Sequence, residues 1–269
     1  MKMTEIIAQR VFSPAYIVLD CLFLLVLALL LLWQKKFATV LVGLAAGVLY
    51  MLVDYGIFHL LCGARSINAP YSLFWVLLWM SMSYGFTNFV WIWLWVQKDR
   101  HLFAWSCLIL LWWFSCPLLA QGLSAGAAPI VIQRTTSGYH GWMALILFVG
   151  YLGVIVWNLS QDDRARQLPL GWMLAIGVLV QLGWEAALLL GGIRSAEIAD
   201  WGQKLRTLAV NSLLETNLGM PYLYVLHLLY ARRFTERLTR RPARTFVQAL
   251  EENNARRVHR SGPADGYGA

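Results

Sequence analysis

Four carboxylic acids, Asp20, Asp54, Glu185 and Glu215, lie inside stretches otherwise built of Leu, Val, Trp and Gly. An acid at the centre of a bilayer costs about 2.5–3.5 kcal/mol by insertion scales, so such residues usually face a bundle interior or a wet cavity and mark function. The stretch Gly183 to Pro221 carries Trp184, Glu185, Arg194, Asn211, Glu215 and Asn217 into two apolar segments. Gln181 precedes Glu185 by one helical turn and Asn211 precedes Glu215 by one, so each acid has an amide on its own helix face. Burial and like-charged neighbours favour the neutral carboxyl, and a protonated acid in an apolar pocket is a proton donor. The expectation is that some of these acids stay unpaired and protonated. The competing expectation is that the rim arginines Arg65, Arg134 and Arg194 pair with them and lock helix ends together. The candidate catalytic residues are Glu215, Asp54 and Glu185. The candidate substrate contacts are Trp184, Asn211, Asn217, Asn88, Gln181, His140, His59, Arg134 and Arg194. His59 and His140 lack a His-x-x-x-His or His-x-x-Glu spacing and read as rim residues, so neither a metal nor a cofactor is expected.

The elements that must position these groups are transmembrane helices. Of the 269 residues 59 % are hydrophobic and only 13 % charged, with a mean hydropathy of +0.57, which excludes an ordinary soluble domain. The fold class read from this is all-α, a polytopic membrane protein. Seven stretches suffice to cross a hydrocarbon core of about 30 Å, running from Ala15 to Trp33, Phe37 to Cys62, Tyr71 to Val96, Leu102 to Ala120, His140 to Asn158, Leu170 to Gly192 and Thr207 to Tyr230. Residues 1–14 form a short outer segment, 15–230 the transmembrane domain and 231–269 a basic tail whose end is expected to be disordered. Lys2 and Arg10 precede the first apolar run as in a signal peptide, but without a small-residue cleavage site before Trp33 the run reads as a retained helix. Lys35, Lys36, Lys98, Arg100, Arg164, Arg166 and the tail arginines share one side, which places the N-terminus outside and the tail in the cytoplasm. The net charge of +8 is largely this tail, a signal for anionic lipids; its arginines are not interleaved with the series of aromatic residues that a base-stacking platform for nucleic acid would require. Counted from the span ends, all four acids fall roughly 7–12 Å below the outer surface, which suggests one shared polar layer.

A displacement of 129 positions carries Arg65-Ser66 onto Arg194-Ser195, Ser83 onto Ser212 and Thr87-Asn88 onto Thr216-Asn217; a one-residue gap brings Gly47-Val48-Leu49 onto Gly177-Val178-Leu179. This reads as a parallel duplication in which helices one to three match helices five to seven and helix four connects them. Ser81 and Gly85 offer a small face for close helix approach. Pro117 is placed to kink the outer end of helix four, and the loop Gly122 to Pro129 has the composition of a flexible cover for a cavity mouth. Eight of the 14 tryptophans fall near span ends as interfacial belts, whereas Trp91, Trp93, Trp112, Trp113 and Trp184 are deeper. Lipid-facing packing accounts for most of these; the alternative is an aromatic-walled pocket. Cys21, Cys62, Cys107 and Cys116 read as packing residues.

An acid on helix two in Val53-Asp54-Tyr55-Gly56 and one on helix seven in Leu213-Leu214-Glu215-Thr216-Asn217 resemble the layout of the membrane-embedded terpene cyclases of meroterpenoid and indole-diterpene pathways. The resemblance implies two carboxyl groups that protonate an epoxide or alkene of a polyprenyl chain and guide the resulting carbocation. Those enzymes carry Trp-Glu on helix two, whereas here Trp184-Glu185 is on helix six. On this reading the chain is an intramembrane enzyme acting on an isoprenoid or other lipid, with Glu215 as proton donor, Asp54 or Glu185 as partner and Trp184 in the pocket wall. The parallel repeat is similar to that of the three-plus-one-plus-three sugar-efflux transporters, which implies a transporter or ligand receptor with Asn88 and Asn217 as the binding pair. The partners implied are an apolar or amphipathic small molecule and membrane lipids. A third reading is a membrane subunit whose acids only satisfy one another. Helix seven contains no lysine for a Schiff base, which sets a retinal protein aside.

Overall fold

The computed structural model of the chain describes residues 8–124, 126–134, 139–163, 166–195 and 198–234, together with 251 and 255. The basic tail therefore lies almost wholly outside the described residues. Among the described residues six helices are long and apolar enough to cross a membrane: α1 (Pro14–Trp33), α2 (Phe37–Met51, running on as a π-helix over Leu52–Leu61), α3 (Leu73–Val96), α4 (Leu102–Leu123), α5 (His140–Leu159) and α6 (Leu170–Leu190). The chain is a multi-pass, predominantly helical membrane protein.

The last expected span is not one helix. α7 (Trp201–Leu214) ends before Glu215, a 3-10 turn follows over Asn217–Gly219, and α8 (Met220–Phe234) resumes. Pro221 explains the restart: a proline is tolerated in the first turn of a helix but not in its interior, where it removes a backbone hydrogen bond. α4 passes through Pro117 and continues to Leu123.

The hydrophobic logic runs outward. On α1 only one stripe, Tyr16, Asp20, Phe23, Leu27 and Leu31, is buried, while Val18, Leu22, Leu25 and Leu29 face outward as lipid contact requires. α3 is the central post, buried along most of its length and packed against α1, α2, α4 and α6. α2 lies close against α3 because the contact is made of glycines: a Cβ on Gly85 would stand 2.6 Å from the Gly47 Cα. The small face expected around Gly85 is thus occupied by backbone, as small-residue helix contacts allow. The deep tryptophans point inward. Trp91, Trp93, Trp113 and Trp184 are buried and Trp112 is half-buried on Phe23, so lipid-facing packing is not their role. Of the tryptophans assigned to interfacial belts, Trp105 is also buried. Cys116 packs in the interior, but Cys21 and Cys62 are exposed on the helix surface.

A small sheet, absent from the sequence expectations, closes the end of the bundle at which α1 begins. Its strands are β1 (Ala8–Phe12), β2 (Arg65–Asn68) and β3 (Ile130–Arg134), antiparallel in the order β1-β3-β2. Arg10 forms a further bridge to Arg194, and Val11 N donates to the Ile193 carbonyl at 2.8 Å. The N-terminal segment and the three loops at this end are thereby knitted into one cap. The cavity cover expected in the Gly122 to Pro129 loop is instead this sheet, whose central strand begins just after that loop.

Candidate functional site

Period-two geometry of the strands decides what the cap presents to the bundle. In register, Arg10 pairs with Ile132, and Arg134 pairs with both Ala8 and Arg65, so Arg10, Ile132, Arg134 and Arg65 share one face. Ile130 and Ile132 are fully buried, which identifies this face as the one turned onto the helices. Three guanidiniums are therefore lowered onto the acids from above.

Asp54 lies in the π-helical stretch of the second span, a widened turn of the kind often associated with sites. Its Oδ1 accepts from Arg65 Nε at 2.8 Å and Nη2 at 2.6 Å, and from Arg134 Nη2 at 3.2 Å. The Arg65 guanidinium also stands 4.6 Å over the Phe58 ring. Glu185, on α6, forms an ion pair with Arg194, whose other terminal nitrogen lies 3.5 Å from Glu215 Oε1. Three of the four acids, Asp54, Glu185 and Glu215, thus follow the competing expectation, each meeting at least one arginine because the cap supplies charge that the helices lack; Asp20 alone forms no ion pair among the described residues.

Gln181 joins the two glutamates. Its Nε2 donates to Glu185 Oε1 at 3.1 Å and to Glu215 Oε2 at 2.9 Å, while its Oε1 accepts from the Tyr84 hydroxyl at 2.8 Å and from the Thr216 hydroxyl. The amide expected to serve Glu185 on its own helix thus also bridges to the broken segment. Asn211 is buried on α7, and its backbone carbonyl accepts the Glu215 N–H at 3.0 Å. Asp20 does not join this layer. It accepts from Trp79 Nε1 at 2.9 Å, and its other neighbour is Ser83.

The remaining candidates fall in several places. Trp184 is buried edge-to-face on Trp113 at 5.1 Å and tilted on Tyr84 at 5.6 Å. Asn217 accepts from the Tyr151 hydroxyl at 3.1 Å and packs onto α6 at Gly177, where no side chain would fit. Asn88, expected to work with it, is fully buried, and neither its amide nitrogen nor its oxygen has a hydrogen-bond partner among the described residues. The His59 ring sits 3.3 Å from the Arg65 carbonyl, holding the strand entry, and His140 begins α5 half-buried.

Two small cavities lie under the cap. The larger, about 40 Å³, is lined by Arg10, Tyr50, Asp54, Tyr84, Arg134 and Glu215, with Ser81 in its wall. The smaller, about 20 Å³, is walled by Phe12, Tyr16, Trp79 and Trp184. Arg10 borders both. Burial, reinforced by Arg134 and Arg194, pulls the Arg10 guanidinium down to about 9. Burial and Arg134 likewise lower Arg65 to about 10 against the opposing pull of Asp54. For Arg194 burial acts in the same sense, but Glu185 and Glu215 outweigh it and hold the group above the usual arginine range. Arg10, Tyr50 and Tyr84 were missing from the sequence candidates; for the strand cap that carries Arg10 the β-branched run Ile130-Val131-Ile132 was the available signal.

Comparison with protein-family models, with characterised proteins and with solved structures finds no match for this chain. Fold and site together define a class: a multi-pass α-helical membrane protein with a buried ionic layer sealed by a strand cap.

Proposed function

We propose that this chain is a transporter-type membrane protein that binds a small amphipathic molecule at the ionic layer. The observation that carries the proposal is the break between Leu214 and Met220, which falls at Glu215, level with Gln181 and Glu185. Interrupted helices at membrane depth are tolerated where they are buried in protein or line a cavity, and transporters use the freed backbone and helix ends to hold substrates and ions. On this reading α7 and α8 together make a seventh crossing. The duplication also finds support in packing. α2 packs along α3, and α6 likewise packs against α7 and the turn that follows it. The orientation with the cap outside follows because Arg10, Arg65, Arg134 and Arg194 are drawn into the buried layer. The basic loops at the opposite end then set the topology.

Acid catalysis on an isoprenoid is the second reading, favoured by one feature: Asp54 and Glu215 share a cavity wall. Electrostatics weighs against it, because this layer sets four guanidiniums against three carboxylates among the described residues, and a developing carbocation is repelled by that excess in a medium of low dielectric. The two are separated by mass spectrometry of small molecules retained by the detergent-extracted parent, Ser81→Phe and Glu215→Gln. The expected outcome is an amphipathic molecule held by the parent, depleted when Ser81→Phe fills the cavity, and chemically unchanged in Glu215→Gln. Equal retention by Ser81→Phe would refute the cavity as the site, and conversion from product to precursor in Glu215→Gln would transfer it to the enzyme reading.

A further inference from the structure

We infer that the cavity takes a monoanionic head group of about carboxylate size, with Arg10 as its counter-ion, an assignment that rests on reading the cavity as a ligand site. Four guanidiniums, Arg10, Arg65, Arg134 and Arg194, converge under the cap on three carboxylates, Asp54, Glu185 and Glu215. Arg65 and Arg134 are spent on Asp54, and Arg194 on the two glutamates. Arg10 is left over. Its residue is 7 % exposed, and among the described residues its guanidinium makes no ion pair and no hydrogen bond.

A buried charge of this kind is expensive unless it is paired. Even lowered to about 9 the guanidinium stays charged at neutral pH, and Glu185 and Glu215 support that charge without forming an ion pair, so the compensation at Arg10 itself is left to an anion. Among the described residues of this layer the excess is one unit, with Asp20 held apart by Trp79 and Ser83, and one unit matches a monoanion rather than a phosphate dianion. The space agrees: the larger cavity is about 40 Å³, and its wall also holds the Ser81 hydroxyl and Arg134 Nε, neither of which has a partner among the described residues. Donors therefore exceed acceptors at this wall, as a carboxylate requires. The smaller cavity, on the other side of Arg10, is lined by Phe12, Tyr16, Trp79 and Trp184 and suits the first carbons of an attached chain. The shared chemistry is a carboxylate, carried either by a lipid-like amphiphile or by a small free acid.

The test measures binding to the full-length protein in a nonionic detergent, by titration calorimetry against protein-free micelles. Laurate, dodecanol and dodecyltrimethylammonium supply one chain with three head charges, and acetate supplies the head alone. Laurate is expected to bind the parent at least about tenfold more tightly than dodecanol, the ratio for one charge-assisted hydrogen bond. Arg10→Gln should abolish that preference and Arg10→Lys should keep part of it. The head-charge series on the parent decides the matter even if Arg10→Gln does not fold. Competition by acetate would identify a free small acid as the source, and its absence would identify an amphiphile. Dodecanol or the cation binding as well as laurate, with Ser81→Phe still blocking, would overturn the anion assignment while leaving the cavity as the site. No binding of any of the four to the parent would overturn both.

Discussion

Gln181 is the residue whose removal the structure ranks as most damaging to the ionic layer, because one amide makes four hydrogen bonds there at zero exposure. In Gln181→Leu the volume is nearly kept, but Glu185 and Glu215 each lose a donor, and the hydroxyls of Tyr84 and Thr216 lose their acceptor. Buried hydrogen bonds in membrane proteins are worth about 0.6 kcal/mol on average and up to about 1.7, so four of them amount to about 2.5–7 kcal/mol. Tyr84→Phe removes one of the four and should cost about 0.6–1.7 kcal/mol. The two changes share a bond, so the double variant should lose less than the sum of the singles. The assay is unfolding free energy in mixed micelles for parent, both singles and the double. A loss below about 1 kcal/mol in Gln181→Leu, or full additivity with Tyr84→Phe, would show that the glutamates do not depend on this amide, and the account of the layer as one network would fall.

Asp54→Asn should cost about 3–5 kcal/mol, since it leaves the Arg65 guanidinium, whose side chain has no exposed surface, without its carboxylate. Asp54→Asn combined with Arg65→Leu should recover part of that loss in the same assay. Gly85→Ala is expected to destabilise by about 1–3 kcal/mol, because its methyl group would meet the Gly47 backbone rather than a side chain able to move. Gly56→Ala in the π-helix meets nothing within 4 Å and should be neutral to mildly stabilising, which makes it the matched control in thermal melts. Gly177→Ala should displace Asn217 and with it the Tyr151 hydrogen bond; unchanged stability there would mean that the broken segment is not held against α6 at this point.

The cap also bears on how the proposed ligand would reach the cavity. Its strands come from the N-terminal segment and from loops that follow the second and fourth spans, and the loop after α6 attaches at Arg10. An opening at this end must therefore break main-chain hydrogen bonds between segments far apart in sequence.

Composition and hydrophobic period alone established the membrane class and six of the spans to within a few residues, because a long apolar run has one stable solution in lipid. The acids and Gln181 were legible for a related reason: a polar group in such a run is costly and must be answered by something. What answers them was not legible. Whether Asp54 meets a proton, a ligand or Arg65 depends on where the rim loops run. A short strand following a span leaves a weak signal that only its cross-strand partners stabilise. Arg10 read as a charge preceding an apolar run, yet pairing with Ile132 in β3 turned it into the bundle. The seventh span was read as continuous because its apolar character persists through Glu215, while Pro221 and the packing of Asn217 on Gly177 decided the break. Sequence thus settled which groups must be satisfied; the tertiary pairing of distant strands settled which arginine meets Asp54, Glu185 and Glu215 and, among the described residues, which one is left over.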